Sequence, residues 1–213
     1  MLGSLFCDDL VVWAVKPQTF KDAAEAARAH VAGALHLSVA AGITSESIAR
    51  WLGTERVVRA MPNTPALVGL GMTGLMARAA VSADDKALVE QVVRTTGELV
   101  WVNVEADRDA VTALSGSGPA YVFYFLEAMR DAGAAMGLSP EVAYQLAVGT
   151  FVGASELARS ASEPPSVLRE RVTSKGGTTY AALSSMEADG VKAALVKAVL
   201  AAQQRARELG DAL

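Results

Sequence analysis

The sequence predicts an α/β sheet domain followed by an all-helical domain, and three observations carry that prediction. From Asp9 to about Asn103, short β-branched apolar runs alternate with longer alanine-rich or charged segments. After Glu105 no strand pattern recurs, and five segments of helical periodicity fill the rest of the chain. Cap residues punctuate both parts where a helix should begin. Strands separated by helices imply parallel pairing in a doubly wound sheet. The expected division is 1–104 for the sheet domain and 105–213 for the helical one.

Leu10-Val11-Val12-Trp13-Ala14-Val15 is short, β-branched and bounded by charge, as a buried strand is. Pro17 ends it and opens a helix to about Val31. Leu35 to Val39 is a second strand. Ala41-Gly42 turns the chain, and Thr44 or Ser45 caps a helix to about Leu52. Arg56 to Met61 is a third strand, closed by Pro62 and Pro65. Val68 to Arg78 is interrupted by glycine and expected to be extended. Ser82 caps a helix whose first turn holds Asp84 and Asp85, where the helix dipole favours them. Glu98 to Val102 is the last strand.

The helical part divides into Pro119–Met136, Ser139–Arg159, Pro165–Val172, Thr179–Ala188 and Val191–Leu209. In the last, Val191, Leu195, Ala198, Ala202 and Leu209 form one apolar face. The first carries Tyr121, Phe123, Tyr124, Phe125, Leu126 and Met129, apolar on nearly every side. Such a helix must be covered all round. A homodimer interface satisfies that requirement, and so does a central position within one subunit.

Bulk properties narrow the function classes. The net charge of −4 offers no electrostatic case for nucleic acid. The run Leu10–Val15 is far too short to span a bilayer. Asp8 and Asp9 interrupt the apolar start, so no signal peptide is read. Cys7 stands alone, which excludes an intrachain disulfide and a cysteine-rich metal site and points to a reducing, cytoplasmic setting. His30 and His36 lie in a helical and a strand pattern without a nearby acid motif, and both are read as incidental. No metal site is expected.

The most informative tract is Thr173-Ser174-Lys175-Gly176-Gly177-Thr178-Thr179. Two glycines among four hydroxyl side chains let the chain turn sharply and aim N–H and O–H groups at one small anion, a carboxylate or phosphate. By contrast, Gly69-x-Gly71-x-x-Gly74 matches pyrophosphate-loop spacing but follows two prolines and precedes an extended pattern. The required strand–turn–helix context fails, so the match is read as coincidence.

Five motifs in order resemble those of the pyrroline-5-carboxylate reductase family: Ala14-Val15-Lys16-Pro17-Gln18, Ala40-Ala41-Gly42-Ile43, Met61-Pro62-Asn63-Thr64-Pro65, Leu114-Ser115-Gly116-Ser117-Gly118-Pro119-Ala120-Tyr121, and Val172 to Thr179 with Ala182-Leu183 and Met186-Glu187. The resemblance runs from about Asp9 to the C-terminus. It implies an N-terminal Rossmann domain and a helical dimerisation domain that interleaves with its partner, sometimes in larger assemblies. Family members carry roughly fifty further N-terminal residues, with the first strand and the glycine-rich turn. The sheet domain is therefore expected to be a Rossmann domain lacking its first β-α-β unit.

The implied reaction is hydride transfer from NADPH or NADH to the C=N carbon of 1-pyrroline-5-carboxylate, giving L-proline. The resemblance puts the substrate carboxylate on Ser174, Gly176, Gly177, Thr178 and Thr179, with Thr179 nearest the imine nitrogen as the catalytic residue. The bland alternative is that Thr179 caps the next helix. Ala14, Val15, Lys16 and Pro17 fall at a strand end, where open sheets bind ligands. Lys16 there either approaches the cofactor phosphates or is a solvated charge. Ala40, Ala41 and Gly42 would offer backbone groups to the nicotinamide amide. Asn63, rigid between prolines, is expected to hydrogen-bond cofactor or substrate. Ser117, Gly118 and Pro119 are a ligand contact or simply a helix start.

Two competing readings remain. A truncated relative would keep the helical dimer and lose catalysis. A β-hydroxyacid or imine reductase would place a catalytic lysine on a helix after the sheet, but no lysine stands between Asp107 and Glu170.

Overall fold

The computed structural model describes residues 9–103 and 107–211. Cys7, Asp8 and the expected division at 104/105 lie outside them. The chain forms two compact units. One contains the residues up to Pro119 together with those from Val199 onward; the other is Ala120–Ala198.

The first unit is built on a five-stranded sheet: β1 (Leu10–Trp13), β2 (Leu35–Ser38), β3 (Val57–Met61), β4 (Gly71–Ala77) and β5 (Gly97–Trp101). The strands lie side by side in chain order. β1, β2 and β3 pair in parallel, with Trp13 opposite Ser38 and Ser38 opposite Arg59. β4 runs antiparallel to β3, and β5 is parallel to β4. Three of the four strand pairings are parallel, as expected, and the antiparallel step is the exception. Its cause is the connection between β3 and β4, a single 3-10 turn at Thr64–Val68. A parallel crossover needs a dozen or more residues, usually with a helix.

Side chains alternate across the sheet with period two. Leu35, Leu37, Val58, Ala60 and Leu75 pack with Val89 and Val93 of α3 (Ala83–Val93). On the other face Trp13 and Val57 pack with Phe20 and Ala24 of α1 (Pro17–Val31) and with Ile48 and Leu52 of α2 (Ser45–Leu52). Phe20 is fully enclosed, a burial that contributes roughly 2–3 kcal/mol. Thr44 caps α2 by accepting from the Ser47 N–H, and Ser82 and Asp85 form a reciprocal capping box on α3. Arg56 grips Asp85 at 2.6 Å and also donates to the Gly33 carbonyl, which fixes α3 to the entrance of β3.

The strands are shorter than the apolar runs that predict them, because β1 stops at Trp13 and β2 at Ser38. The residues beyond those ends form loops. Two elements were not expected: α4 (Asp107–Val111) and a π-helical turn at Thr112–Gly116. They pack on β4, where Gly74 makes room for Val111. That packing keeps residues 107–119 with the sheet.

The helical unit contains α5 (Gly118–Ala135) from Ala120, α6 (Pro140–Ser160), α7 (Pro165–Arg171), α8 (Thr178–Ala188) and the start of α9 (Val191–Asp211). Ser139 caps α6. α5 and α6 approach closely at Gly133, where an added Cβ would meet that of Ala143. Few side chains in this unit are buried. Phe123, Tyr124, Leu146, Val152 and Leu157 are all more than half exposed. The end of α9 belongs to the first unit, where Arg207 lies 3.9 Å from Asp109.

Candidate active site

Parallel pairing of β1, β2 and β3 brings their C-terminal ends to one edge of the sheet. Three predicted segments follow those ends. Ala14, Val15 and Lys16 lead from β1 into Pro17, the first residue of α1, with Lys16 at the N-cap. Ala40, Ala41 and Gly42 follow β2. Ala40 is buried, Ala41 is exposed, and Gly42 has φ +80°. Asn63 follows β3, two residues after Met61.

Asn63 is not turned outward. Its amide nitrogen donates to the carbonyl oxygen of Ser115 at 3.3 Å and to the Ser115 hydroxyl at 3.2 Å. Its amide oxygen accepts from the Met72 N–H at 2.9 Å, and the Ser115 hydroxyl in turn donates to the Met72 carbonyl. Both ends of the amide are therefore engaged in the fold, joining the β3 exit, the start of β4 and the π-helical turn. In this structure the Asn63 side chain serves as a bracket within the fold. Ser117 ends the π turn by donating its N–H to Thr112, and α5 starts at Gly118.

The glycines at 69, 71 and 74 have local structural roles. Gly69 closes the 3-10 turn, and Gly71 and Gly74 lie within β4. No helix follows them, so they make no phosphate loop.

The Ser174–Thr179 tract joins α7 to α8 in the helical unit. Thr173 ends α7 by donating its hydroxyl to the Arg169 carbonyl at 2.6 Å. The Gly177 N–H closes a turn on the Ser174 carbonyl at 3.0 Å, with Gly176 at φ +75°. A side chain at 177 would strike the Ser174 hydroxyl. Gly177 is the N-cap of α8, Thr178 is its first residue and Thr179 its second. Thr179 is thus not the cap, and no side chain caps this helix. Thr44, Ser82 and Ser139 supply such bonds to α2, α3 and α6. The first N–H groups of α8 have no intrahelical acceptor and carry the positive end of the helix dipole. Ser174 and Thr178 are exposed and Thr179 is partly so.

A model of the pyrroline-5-carboxylate reductase dimerisation family matches residues 105–209. Pyrroline-5-carboxylate reductase of Pseudomonas aeruginosa is 47% identical over 207 residues, which cover 96% of this chain and 76% of that protein. This chain belongs to the pyrroline-5-carboxylate reductase family. The Arabidopsis thaliana member is 39% identical over 204 residues, covering 95% of this chain and 74% of its own length. Among solved structures, a pyrroline-5-carboxylate reductase from Coxiella burnetii superposes with a TM-score of 0.91 at 41% identity, over 94% of this chain and 76% of that one. The Plasmodium falciparum pyrroline carboxylate reductase, crystallised with NADP bound, gives 0.84 at 31% identity, over 96% and 82%.

Within this family fold, sequence reasoning missed the Ser115 side of the bracket. The dense Ser-Gly-Ser-Gly-Pro run at 115–119 was the available signal, since such clusters mark irregular backbone. His36, expected to be incidental, has a structural place in the sheet. His36 is fully buried and its Nδ1 accepts from the Trp13 indole N–H at 3.0 Å. Burial lowers its pKa from 6.5 to about 4, so the imidazole is neutral near pH 7. Among the described residues no group of three or more His, Cys, Asp or Glu is placed to hold a metal ion. No described helix is long and apolar enough to cross a membrane.

Proposed function

We propose that this chain reduces 1-pyrroline-5-carboxylate to L-proline in the cytoplasm, with NADPH or NADH as the reductant. The observation that carries the reading is the uncapped start of α8 among Ser174, Gly176, Gly177, Thr178 and Thr179, in a chain whose relatives are pyrroline-5-carboxylate reductases. A helix start with free N–H groups and hydroxyl neighbours fits a small carboxylate.

The strand-end loops fit the nicotinamide end of a dinucleotide. Ala14–Pro17 and Ala40–Gly42 lie together at the carboxyl edge of the sheet, where such ligands bind. The exposed Ala41 and the turn at Gly42 leave backbone donors and acceptors open to an amide. When bound, the dihydronicotinamide supplies a hydride to the imine carbon. The residues of this chain have three tasks. The α8 N–H groups and the Ser174 and Thr178 hydroxyls hold the carboxylate. The Thr179 hydroxyl donates a hydrogen bond to the ring nitrogen or relays its proton. Lys16, at the α1 N-cap, adds positive charge on the cofactor side.

The active form is a homodimer. Its support is the match to a dimerisation family and the many apolar side chains that one copy of the helical unit leaves exposed. Calorimetric titration of the 213-residue chain with NADPH tests the reading. Saturable binding at micromolar concentration supports it, whereas no heat up to millimolar NADPH sinks it and leaves a non-catalytic dimer.

A further inference from the structure

Ala40 is held by both of its backbone polar groups. Its N–H donates to the hydroxyl of Ser38 at 3.3 Å, and its carbonyl accepts from Nη2 of Arg59, also at 3.3 Å. Both side chains come from the sheet, where Ser38 and Arg59 are direct register partners on β2 and β3. Ser38 is wholly buried, Arg59 is 5% exposed and Ala40 is 4% exposed.

The chemistry of this arrangement is unusual for a sheet interior. A guanidinium stays charged at any physiological pH, and burying one is costly even when it is well bonded. A methionine or leucine on β3 would fill similar space without that penalty. Ser38 and Arg59 together hold the Ala40 peptide from both sides, which fixes the residue at which β2 ends and the loop begins. Beyond that fixed residue the backbone is open, with Ala41 exposed and Gly42 turning the chain at φ +80°.

We infer that Ser38 and Arg59 clamp Ala40 so that the Ala41–Gly42 backbone forms a preset ledge for the nicotinamide amide, which makes Arg59 a positioning residue for the cofactor. The inference rests on the cofactor reading above. Arg59 does not touch the ligand; it acts through the carbonyl of Ala40. A loop already ordered loses less freedom on binding, so the clamp shows itself in cofactor affinity before it shows in the rate of the chemical step.

The test uses the full chain with Arg59→Met, Arg59→Lys and Ser38→Ala. Loss of a bond to a charged donor is expected to raise KM for NADPH about tenfold in Arg59→Met, with kcat within about twofold. Arg59→Lys keeps a cationic donor and should recover most of that loss. KM for the imine should not follow. Hydrogen exchange of the ligand-free chain gives a readout that needs no activity. The amides of residues 40–43 should exchange faster in Arg59→Met, while those of α1 and α3 keep their wild-type protection. Unchanged exchange at 40–43 overturns the clamp. A general rise in exchange with a parallel loss of melting temperature also overturns it, because Arg59 would then only stabilise the sheet. If wild type shows no NADPH turnover but the exchange difference is present, the clamp survives and the reductase reading fails.

Discussion

The amide of Asn63 reaches across 52 positions of sequence to hold both the carbonyl and the hydroxyl of Ser115. With the Met72 N–H on its oxygen, one side chain ties three segments at the sheet edge. Asn63→Ala should lose about 2 kcal/mol of stability, read as a lower urea midpoint at an unchanged m-value. Asn63→Asp keeps the acceptor for Met72 but loses both donors to Ser115. It should therefore lose at least as much above the carboxylate pKa and recover partly in acid. Equal stability of wild type and both variants would remove the bracket.

His36 makes stability depend on pH in a defined direction. Its folded pKa, about 4, lies below the ordinary 6.5, because burial penalises the charged ring. The unfolded chain therefore binds the proton more tightly. The stability His36 contributes is full above pH 6.5 and is lost as pH falls towards 4, roughly 3 kcal/mol over that window. His36→Gln retains an acceptor for Trp13 and cannot titrate. Subtracting its pH–stability curve from that of wild type should leave a slope near 1.4 kcal/mol per pH unit between those limits. A flat difference would show that the ring is solvated.

Gly97 opens β5 at φ +141°, and a Cβ there would collide with the backbone of Gly71 on β4. Backbone cannot move aside as a flexible side chain can. Gly97→Ala should cost about 3 kcal/mol or more, enough to reduce the folded yield visibly. Gly69→Ala, at φ +73° with open space around it, should cost only about 1 kcal/mol. Thermal melts of the pair check the contrast, and equal effects would contradict it.

The helical unit predicts its own partner. Phe123 is 59% exposed and Tyr124 is 71% exposed in the single chain. Sedimentation should give a dimer or larger assembly at micromolar concentration. Phe123→Asp should weaken association at least tenfold, since a charge would be carried into an apolar contact. A monomeric wild type would leave these surfaces unexplained.

Local chemistry was legible in the sequence, and long-range chemistry was not. Thr44, Ser82 and Ser139 announce their helices because a cap is a contact within three residues. The alternation Leu35-His36-Leu37-Ser38 sorts its side chains to two faces without help from elsewhere. The direction of β4 depends on where β3 and β5 lie, and a glycine-interrupted run carries no sign of direction. The two prolines that stiffen Asn63 are visible in the sequence. The partners of its side chain, nine and 52 residues away, are invisible to local patterning. The turn at 174–179 was legible as a sharp glycine turn between two helices, but the helix start at Thr178, and hence the freedom of Thr179 from capping, needed the backbone itself.

The central claim is that the hydroxyl-lined start of α8 serves imine reduction. Its most direct test is to follow oxidation of NADPH and appearance of L-proline together, for wild type and Thr179→Val. The account predicts one proline per NADPH in wild type, and a kcat lower by roughly tenfold or more in Thr179→Val, whose fold is unchanged. Absence of proline from well-folded wild type, or an undiminished kcat without the Thr179 hydroxyl, would contradict it.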